Sequence, residues 1–305
     1  MFVFKREQRS FDFSGITIGG CPGENPTVLA GGLFFKGQSI VESTREGLFD
    51  KKTAKEWLDS GIDISERTGH PLIVEVYGRS GTAMERHLSW LVENFDGPFM
   101  YESPNANAKK RAVDYCRDAG LAQRAIYNSI NISMDEDERA FLKDSHLDMA
   151  VLLGWSPKAS SLKERMDVIE AMVSEARGLG IQKFVIDPGT MPVGAGYGLE
   201  LRTNVAVKSE LGLPTCLAPH NAPSAWKFIK EKDLDRDEVV NSSIIASIVA
   251  AQLFATDCIM YGSMRRSQEV FAAVALAQNA IFSAVEEAIQ VLGTTKQLFE
   301  PKAGE

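Results

Sequence analysis

Short apolar segments that contain or end in a carboxylate or an amide recur along this chain. Each is followed by a segment whose apolar residues recur with helical spacing. This alternation predicts an α/β fold of the (β/α)8 barrel type, also called a TIM barrel. In such a barrel the carboxyl ends of the strands meet at one mouth, so we expect the polar side chains to converge there. The residues concerned are Glu75, Glu102, Asn128, Asp187 and Asn221.

Eight strand–helix units fit the sequence, and no break in composition marks a second domain. The predicted strands are residues 27–35, 72–78, 99–103, 125–129, 149–155, 184–189, 215–222 and 258–262. The predicted helices are residues 51–68, 83–94, 107–119, 135–145, 161–179, 199–211, 242–256 and 267–292. Residues 2–20 alternate as in a β-hairpin, which we place across the N-terminal end of the barrel. We therefore expect one domain over residues 1–305, made of a hairpin (1–25), a barrel (26–292) and a tail (293–305).

Length and composition exclude several classes of protein. The 305 residues are enough for one large barrel, and the net charge of −8 without a basic stripe argues against a nucleic-acid binder. The N-terminus lacks the pattern of a signal peptide, and the most apolar stretch, residues 244–255, is shorter than the roughly 20 residues of a membrane span. Four cysteines lie far apart, which favours reduced thiols. These features predict a cytoplasmic protein that does not insert into a membrane.

Familiar catalytic motifs are absent from the sequence. It contains no GxxxxGK[ST] phosphate loop, no GxSxG nucleophile motif and no HExxH zinc motif. His220 is the only histidine at a predicted strand end, and its role is either structural or functional. The strand-end carboxylates and amides are therefore the leading candidates for chemistry.

A ring of acidic and amide groups without a strand-end Lys or Arg suits a neutral ligand that is rich in N–H donors. A carboxylate accepts two N–H groups side by side, and an amide both donates and accepts. Any one of these residues alone is better explained as a helix cap or a buried polar group, whereas several on different strands of one barrel favour a site. One alternative is a Mg²⁺-dependent enzyme with Glu75, Glu102 and Asp187 as oxygen ligands. The leading interpretation assigns no metal ligand.

Six segments resemble the H-subunit family of the tetrahydromethanopterin S-methyltransferase complex, and the resemblance spans most of the chain. They are FDFSGITIGGCPGENPTVLAGGLFFKG, PLIVEVYG, YESPNAN, YNSIN, VIDPGTMPVGAG and LAPHNAPSAW. The chain looks most like the free-standing members of this family, which are methylcorrinoid:tetrahydrofolate methyltransferases of glycine betaine and methylamine demethylation. The wider superfamily of barrel methyltransferases holds a pterin by strand-end Asp and Asn residues.

The resemblance implies a pterin site with named roles. Glu102 and Asp187 would accept hydrogen bonds from the aminopyrimidinone edge, with Glu102 standing where more distant relatives tend to have Asp. Asn128 would orient the ring, and Asn221 would lie near N5, so that Asn221 and Asp187 are the expected catalytic residues. Further expected substrate contacts are Glu75, Met191, Gly262 and Ser263.

The implied reaction moves a methyl group from the methyl-Co(III) of a corrinoid protein to N5 of tetrahydrofolate, giving 5-methyltetrahydrofolate and Co(I). Because no DxHxxG motif occurs, the cobalamin is expected on a partner protein. Two alternatives remain open: a pterin-binding H-subunit of a tetrahydromethanopterin S-methyltransferase complex, and a protein that only docks a corrinoid protein. Residues 244–254 are expected either to cover the sheet or to form a homodimer interface.

Several other residues near the predicted mouth have two possible roles. The loop 189–198 is either a lid or a tight connection, and Arg265-Arg266 either meet the acidic tail of a folate or are solvated charges. A second group either rings the mouth or packs in the core. It consists of Tyr77, Met191, Tyr197 and Met264.

Overall fold

Parallel strands alternate with helices along most of this chain, in a computed structural model that describes residues 4–231 and 235–285. The strands are β1 Ser10–Phe13, β2 Ile16–Gly19, β3 Val28–Leu33, β4 Val41–Ser43, β5 Leu48–Phe49, β6 Leu72–Tyr77, β7 Phe99–Glu102, β8 Ala125–Ile130, β9 Met149–Leu153, β10 Lys183–Asp187, β11 Cys216–Leu217 and β12 Cys258–Ser263. The helices are α1 Lys51–Thr68, α2 Gly81–Asn94, α3 Ala106–Asp118, α4 Glu136–Lys143, α5 Leu162–Gly178, α6 Leu199–Ala206, α7 Arg236–Leu253 and α8 Ser267–Val285.

The eight parallel strands form one sheet that closes on itself. Their order is β10-β9-β8-β7-β6-β3-β12-β11, and a parallel bridge between Ile186 and Thr215 joins β10 to β11. The backbone N–H of Ile186 donates to the carbonyl of Pro214 at 2.9 Å across this junction. The predicted (β/α)8 barrel is therefore confirmed.

The N-terminal hairpin of β1 and β2 lies across the N-terminal end of the barrel, as predicted. Phe13 and Ile18 are almost fully buried, and they share an apolar cluster with Val28 and Met149, which stand at the starts of their strands. The hairpin is shorter than the predicted 2–20, and residues 1–3 lie outside the described part of the chain. This end is filled by side chains, so the C-terminal end is left for a site.

Local capping explains why many helix boundaries were predictable. Asp50 Oδ1 accepts the N–H of Lys52 at 2.9 Å and that of Thr53 at 3.1 Å, which starts α1 at the predicted residue. Gly69, in the left-handed region at φ 71°, ends the same helix. Ser161 and Glu164 form a reciprocal capping box at the start of α5. Most other predicted helices and strands agree with the structure to within about two residues.

Several predicted elements are wrong in detail. The strand predicted over 215–222 is only Cys216–Leu217, because the 3-10 helix Pro219–Ala225 follows it and its prolines have no N–H for a sheet ladder. The sequence predicts a seventh helix that begins at residue 242, but α7 begins six residues earlier, at Arg236, and Asp235 caps it. The helix predicted over 199–211 ends as a π-helix. The small hairpin of β4 and β5 was not predicted, and the end of the last helix and the tail 293–305 lie outside the described residues.

Helix α8 is the one helix, among the described residues, that is long and apolar enough to cross a membrane by length and composition. Half of that stretch, Met264–Val285, is buried inside the fold. Core residues such as Phe271 and Val274 pack against the barrel, as expected of a helix that covers a sheet. The four cysteines are all free thiols, and three of them are buried.

Candidate active site

A cavity of about 420 Å³ opens at the C-terminal end of the barrel. We call it the acidic cavity, because three carboxyl groups from three different strands line it. Its charged and amide lining residues are Glu75, Glu102, Lys109, Asn128, Asn131, Asp187 and Asn221, and its other walls include Phe35, His220 and Met260. The predicted convergence of Glu75, Glu102, Asn128, Asp187 and Asn221 is thus what the structure shows.

Glu75 and Asn128 meet in the wall of this cavity, although strand β7 lies between their strands in the sheet. Glu75 lies in β6 and Asn128 in β8, and both side chains point into the barrel. Asn128 Nδ2 donates to Glu75 Oε1 at 3.0 Å, and the sulfurs of Met100 and Met260 lie 3.8 and 3.7 Å from the same nitrogen. This bond fixes the Asn128 amide, so its Oδ1 can accept an N–H from a ligand.

Asp187 ends β10, and its position is set by the backbone that follows. Its Oδ1 accepts the N–H of Gly189 at 2.8 Å, which leaves Oδ2 for a ligand. The fully buried Arg165 of α5 donates through Nη1 to the carbonyls of Pro188 and Gly189 at 2.9 and 3.2 Å. The chain beyond Asp187 is therefore held from behind, which makes the carboxyl group a fixed part of the wall.

Burial and mutual repulsion raise the pKa of these carboxyl groups. Burial raises the pKa of Asp187 to about 7, with the Gly189 N–H opposing the rise and Glu102 adding to it. Burial, helped by the neighbouring Glu102, raises the pKa of Glu75 well above its usual value. Burial thus favours the protonated form of Glu75, whereas Asp187 is partly ionised near neutral pH, so the two groups can offer both a donor and an acceptor.

Lys109 is a lining residue that sequence reasoning missed, because it comes from helix α3 and not from a strand end. Its Nζ donates to Glu138 Oε1 at 2.8 Å inside the protein, and the hydroxyl of Tyr127 donates to the same oxygen. Burial raises the pKa of Glu102, and the positive charge of Lys109 opposes that rise. A usable signal existed: Lys109 shares the spacing of Ala112, Val113 and Cys116, the buried face of α3.

His220 and Asn221 reach the cavity from the 3-10 turn after β11, not from a strand end. The Nδ1–H of His220 donates to the carbonyl of Met260 at 2.9 Å, so Nε2 is the free acceptor. Burial lowers the pKa of His220, which keeps the ring neutral at neutral pH. Asn221 is exposed at the cavity mouth, where its amide is accessible to a ligand.

Three predicted contact residues lie beside the acidic cavity and not in its wall. Met191 accepts a hydrogen bond from Trp155 Nε1 at 3.3 Å in the loop after β10. Gly262 and Ser263 line a second cavity described below.

The residues with two possible roles divide between the core and the mouth. Met264 is buried at 1 % exposure, so it is a packing residue and does not ring the mouth. Tyr197 also packs against the core. Tyr77 stacks on Phe35, a residue of the cavity wall, with ring centroids 5.0 Å apart.

The arrangement does not favour the magnesium interpretation. In the part of the chain that the structure describes, no three His, Cys, Asp or Glu side chains are placed so as to hold a metal ion. Asn128 and the Gly189 N–H already occupy one oxygen each of Glu75 and Asp187. The cavity is better suited to an organic ligand with several N–H groups.

Comparison with known proteins places the chain in a family. A family model of the tetrahydromethanopterin S-methyltransferase MtrH subunit matches residues 6–292. The chain belongs to this family. It is 37% identical to the H-subunit of an mtx methyltransferase of Methanosarcina mazei over 298 residues, covering 94% of this chain and 95% of the relative. It is 34% identical to the H-subunit of the tetrahydromethanopterin S-methyltransferase of Methanothermobacter marburgensis, covering 96% of both chains. Membership of the MtrH family makes it a methyltransferase chain.

Solved structures show the same fold. The dihydropteroate synthase of Yersinia pestis, in a complex with a sulfonamide drug, superimposes with a TM-score of 0.62 at 15% identity, covering 90% of this chain and all of that one. A 3-deoxy-D-arabino-heptulosonate 7-phosphate synthase from Thermotoga maritima gives 0.57 at 12% identity, covering 90% and 94%. At such low identity the likeness establishes the barrel alone.

Proposed function

We propose that this MtrH-family chain transfers a methyl group between N5 of a reduced pterin and the cobalt of a corrinoid carried by a partner protein. The observation that carries the proposal is the acidic cavity itself. Carboxyl groups from β6, β7 and β10 line one cavity together with the Asn128 amide, at the end of the barrel where TIM-barrel enzymes have their active sites.

The head of a reduced pterin fits this set of donors and acceptors. Its aminopyrimidinone edge presents neighbouring N–H groups, which a carboxylate such as Asp187 accepts in pairs. The free Oδ1 of Asn128 accepts one more. Glu75 fixes that amide, and in the protonated form that its burial favours it can donate to a ring nitrogen or carbonyl. Glu102, whose pKa is raised by burial against the opposing positive charge of Lys109, supplies a further carboxyl group. The cavity thereby orients a flat heterocycle and excludes water from one of its edges.

Asn221 and His220 stand where the reacting nitrogen would face the mouth. N5 exchanges a proton for a methyl group during transfer, and an amide can hydrogen-bond to it in either state. The neutral His220 presents Nε2 as an acceptor on the same side. The corrinoid supplies the methyl-carrying cobalt, and this chain contributes orientation, desolvation and hydrogen bonds at N5.

The pterin that we favour is tetrahydromethanopterin, because the names of the family and of the Methanothermobacter relative specify it. The tetrahydrofolate expected from the sequence stays a prediction, since both cofactors share the head that the acidic cavity would bind. A cytoplasmic location, a single domain over residues 1–305 and a homodimer also stay predictions. Leu253 and Phe254 at the end of α7 and Leu276 in α8 are exposed apolar residues that such a dimer could cover.

Calorimetry with tetrahydromethanopterin and tetrahydrofolate tests the proposal directly. We expect saturable one-to-one binding of at least one pterin, tighter for tetrahydromethanopterin, and methyl transfer to it from methylcobalamin as a stand-in donor. Asp187→Asn is the matched variant, because it keeps the oxygen that Gly189 binds and removes the charge. Absence of binding by both pterins would overturn the proposal, whereas tighter binding of tetrahydrofolate would overturn only the choice of pterin.

A further inference from the structure

A second cavity, of about 500 Å³, adjoins the acidic cavity at the mouth of the barrel. The two share Phe35, His220 and Asn221 in their walls, so one extended molecule can enter both. Its lining residues, including the shared ones, are Phe35, Lys36, Gly37, Gln38, Ser39, Trp57, His220, Asn221, Gly262, Ser263, Arg265 and Arg266. We call it the basic cavity, because the lining includes three cations and no acid.

The cations of the basic cavity are not neutralised by ion pairs among the described residues. Within the described part of the chain, neither Lys36 nor Arg265 forms an ion pair, and both are exposed. Arg266 is half-buried and is held by one hydrogen bond, from its Nε to Asn241 Oδ1 at 2.8 Å. Burial lowers the pKa of Arg266, with Arg265 adding to the effect, yet guanidinium stays charged at neutral pH. The cavity is therefore a positively charged recess in a chain whose net charge is −8.

The local backbone shapes this recess at the wall between the two cavities. Gly262, at the end of β12, has φ +84°, and a Cβ there would come within 2.8 Å of His220 Cδ2. Glycine therefore lets the His220 ring lie against the strand end, where it separates the acidic side from the basic side. Phe35 and the half-buried Trp57 give the basic cavity aromatic walls, against which another aromatic ring can pack.

We propose that the basic cavity binds the anionic tail of the pterin whose head lies in the acidic cavity. This inference rests on the proposed function and adds a second subsite to it. Reduced pterin cofactors carry an arylamine followed by acidic groups, which are carboxylates in tetrahydrofolate and a phosphodiester with carboxylates in tetrahydromethanopterin. The aromatic walls fit the arylamine, and Lys36, Arg265 and Arg266 fit the acidic groups. The opposite charges of the two cavities would also fix the direction in which the cofactor enters.

The test compares a pterin with its tail and one without. Tetrahydromethanopterin, tetrahydrofolate and the tail-free 6-methyltetrahydropterin are titrated into the full chain and into the double variant Lys36→Ala/Arg265→Ala. We expect the variant to bind each tailed pterin about three- to tenfold more weakly and 6-methyltetrahydropterin equally well. For the wild type, raising the salt concentration should weaken only the tailed pterins. The tailed pterin with the larger loss is the one whose acidic groups fit the cavity better.

Arg177→Ala is the matched control, because Arg177 is an exposed cation at the end of α5, at the opposite end of the barrel. It should change no affinity. Equal losses for tailed and tail-free pterins, or no loss for the tailed ones, would overturn the tail subsite while leaving the head site intact. If 6-methyltetrahydropterin and both tailed pterins all fail to bind the wild type, the proposed function itself is wrong.

Discussion

At the N-terminal end of the barrel the buried Lys208 and Asp257 form an ion pair, whereas at the C-terminal end Glu75 and Asp187 are buried without one in the described part of the chain. Lys208 Nζ lies 2.6 and 2.8 Å from the two Asp257 oxygens and also donates to the carbonyl of Gly20 at 2.8 Å. Thr215 N–H donates to Asp257 Oδ2 at 2.8 Å. Both charges of this pair are compensated by the protein itself.

The carboxyl groups at the other end have been left with free oxygens and raised pKa values. Burying such groups costs free energy, and the single hydrogen bonds from Asn128 to Glu75 and from Gly189 to Asp187 recover only part of it. A ligand that donates N–H groups would recover it on binding. A buried acid is thus compensated by the protein at one end of the barrel, and at the other end, under the proposed function, it would be compensated by a ligand.

The largest effect on stability is expected from removing one partner of the ion pair between Lys208 and Asp257. Lys208→Met leaves Asp257 buried without its cation, which we expect to lower the free energy of unfolding by about 3–5 kcal/mol. Denaturant unfolding measures this loss. The double variant Lys208→Met/Asp257→Asn removes both charges and should recover most of the stability. A loss below about 1 kcal/mol in the single variant would show that the ion pair does not hold the hairpin and barrel together.

At the C-terminal end of the barrel, removing a buried charge is expected to raise the stability of the protein and not to lower it. Asp187→Asn should weaken pterin binding about 10- to 100-fold, because a charged acceptor is lost, and should stabilise the protein at pH 8. Asp187 has a pKa of about 7 in the fold and about 3.9 in an unfolded chain, so the folded state holds more protons between these values. The free energy of unfolding of the wild type therefore falls as pH rises from 4 to 7. In Asp187→Asn this contribution is absent, because the asparagine does not titrate.

Thermal or chemical unfolding at pH 5 and pH 8 measures whether Asp187→Asn is more or less stable than the wild type. The gain of Asp187→Asn over wild type should be about 1–3 kcal/mol at pH 8 and much smaller at pH 5. A variant that binds pterin poorly but is less stable than wild type at pH 8 would mean that Asp187 supports the loop after β10 more than it serves a ligand.

Sequence patterns predicted the carboxyl groups at the C-terminal end of the barrel, but not the ion pair at the N-terminal end. The strand ends that bear Glu75, Glu102, Asn128 and Asp187 follow the apolar runs directly, and a closed barrel must bring such positions together. Their convergence was therefore predictable from topology alone. The ion pair of Lys208 and Asp257 was not, because Lys208 lies in a π-helix that periodicity cannot distinguish from the end of α6.

Two parts of the site depended on tertiary packing and not on local pattern. Lys109 reaches the acidic cavity from a helix, and its burial depends on Glu138, 29 residues further along the chain. His220 and Asn221 were assigned to a strand, yet the prolines around them favour a 3-10 turn. The turn changes which wall these two side chains occupy, and it places them between two cavities that the sequence did not distinguish.

The smallest expected effects on stability and affinity concern Asn221, which is exposed and belongs neither to the buried ion pair nor to the buried carboxyl groups. Asn221→Ala should lower the rate of methyl transfer from methylcobalamin about tenfold, while pterin affinity changes less than about threefold and stability by under about 0.5 kcal/mol. The reason is that the proposed role puts this exposed amide beside N5, where it would contribute little to holding the pterin head and more to the step in which N5 changes its bonds. Ser224→Ala is the control for the turn, since Ser224 Oγ donates to the Asn221 carbonyl at 2.6 Å. Equal losses of rate and affinity in Asn221→Ala would show that this amide binds the pterin as Asp187 does. The proposed difference in role between Asn221 at the mouth and the carboxyl groups of the acidic cavity would then be wrong.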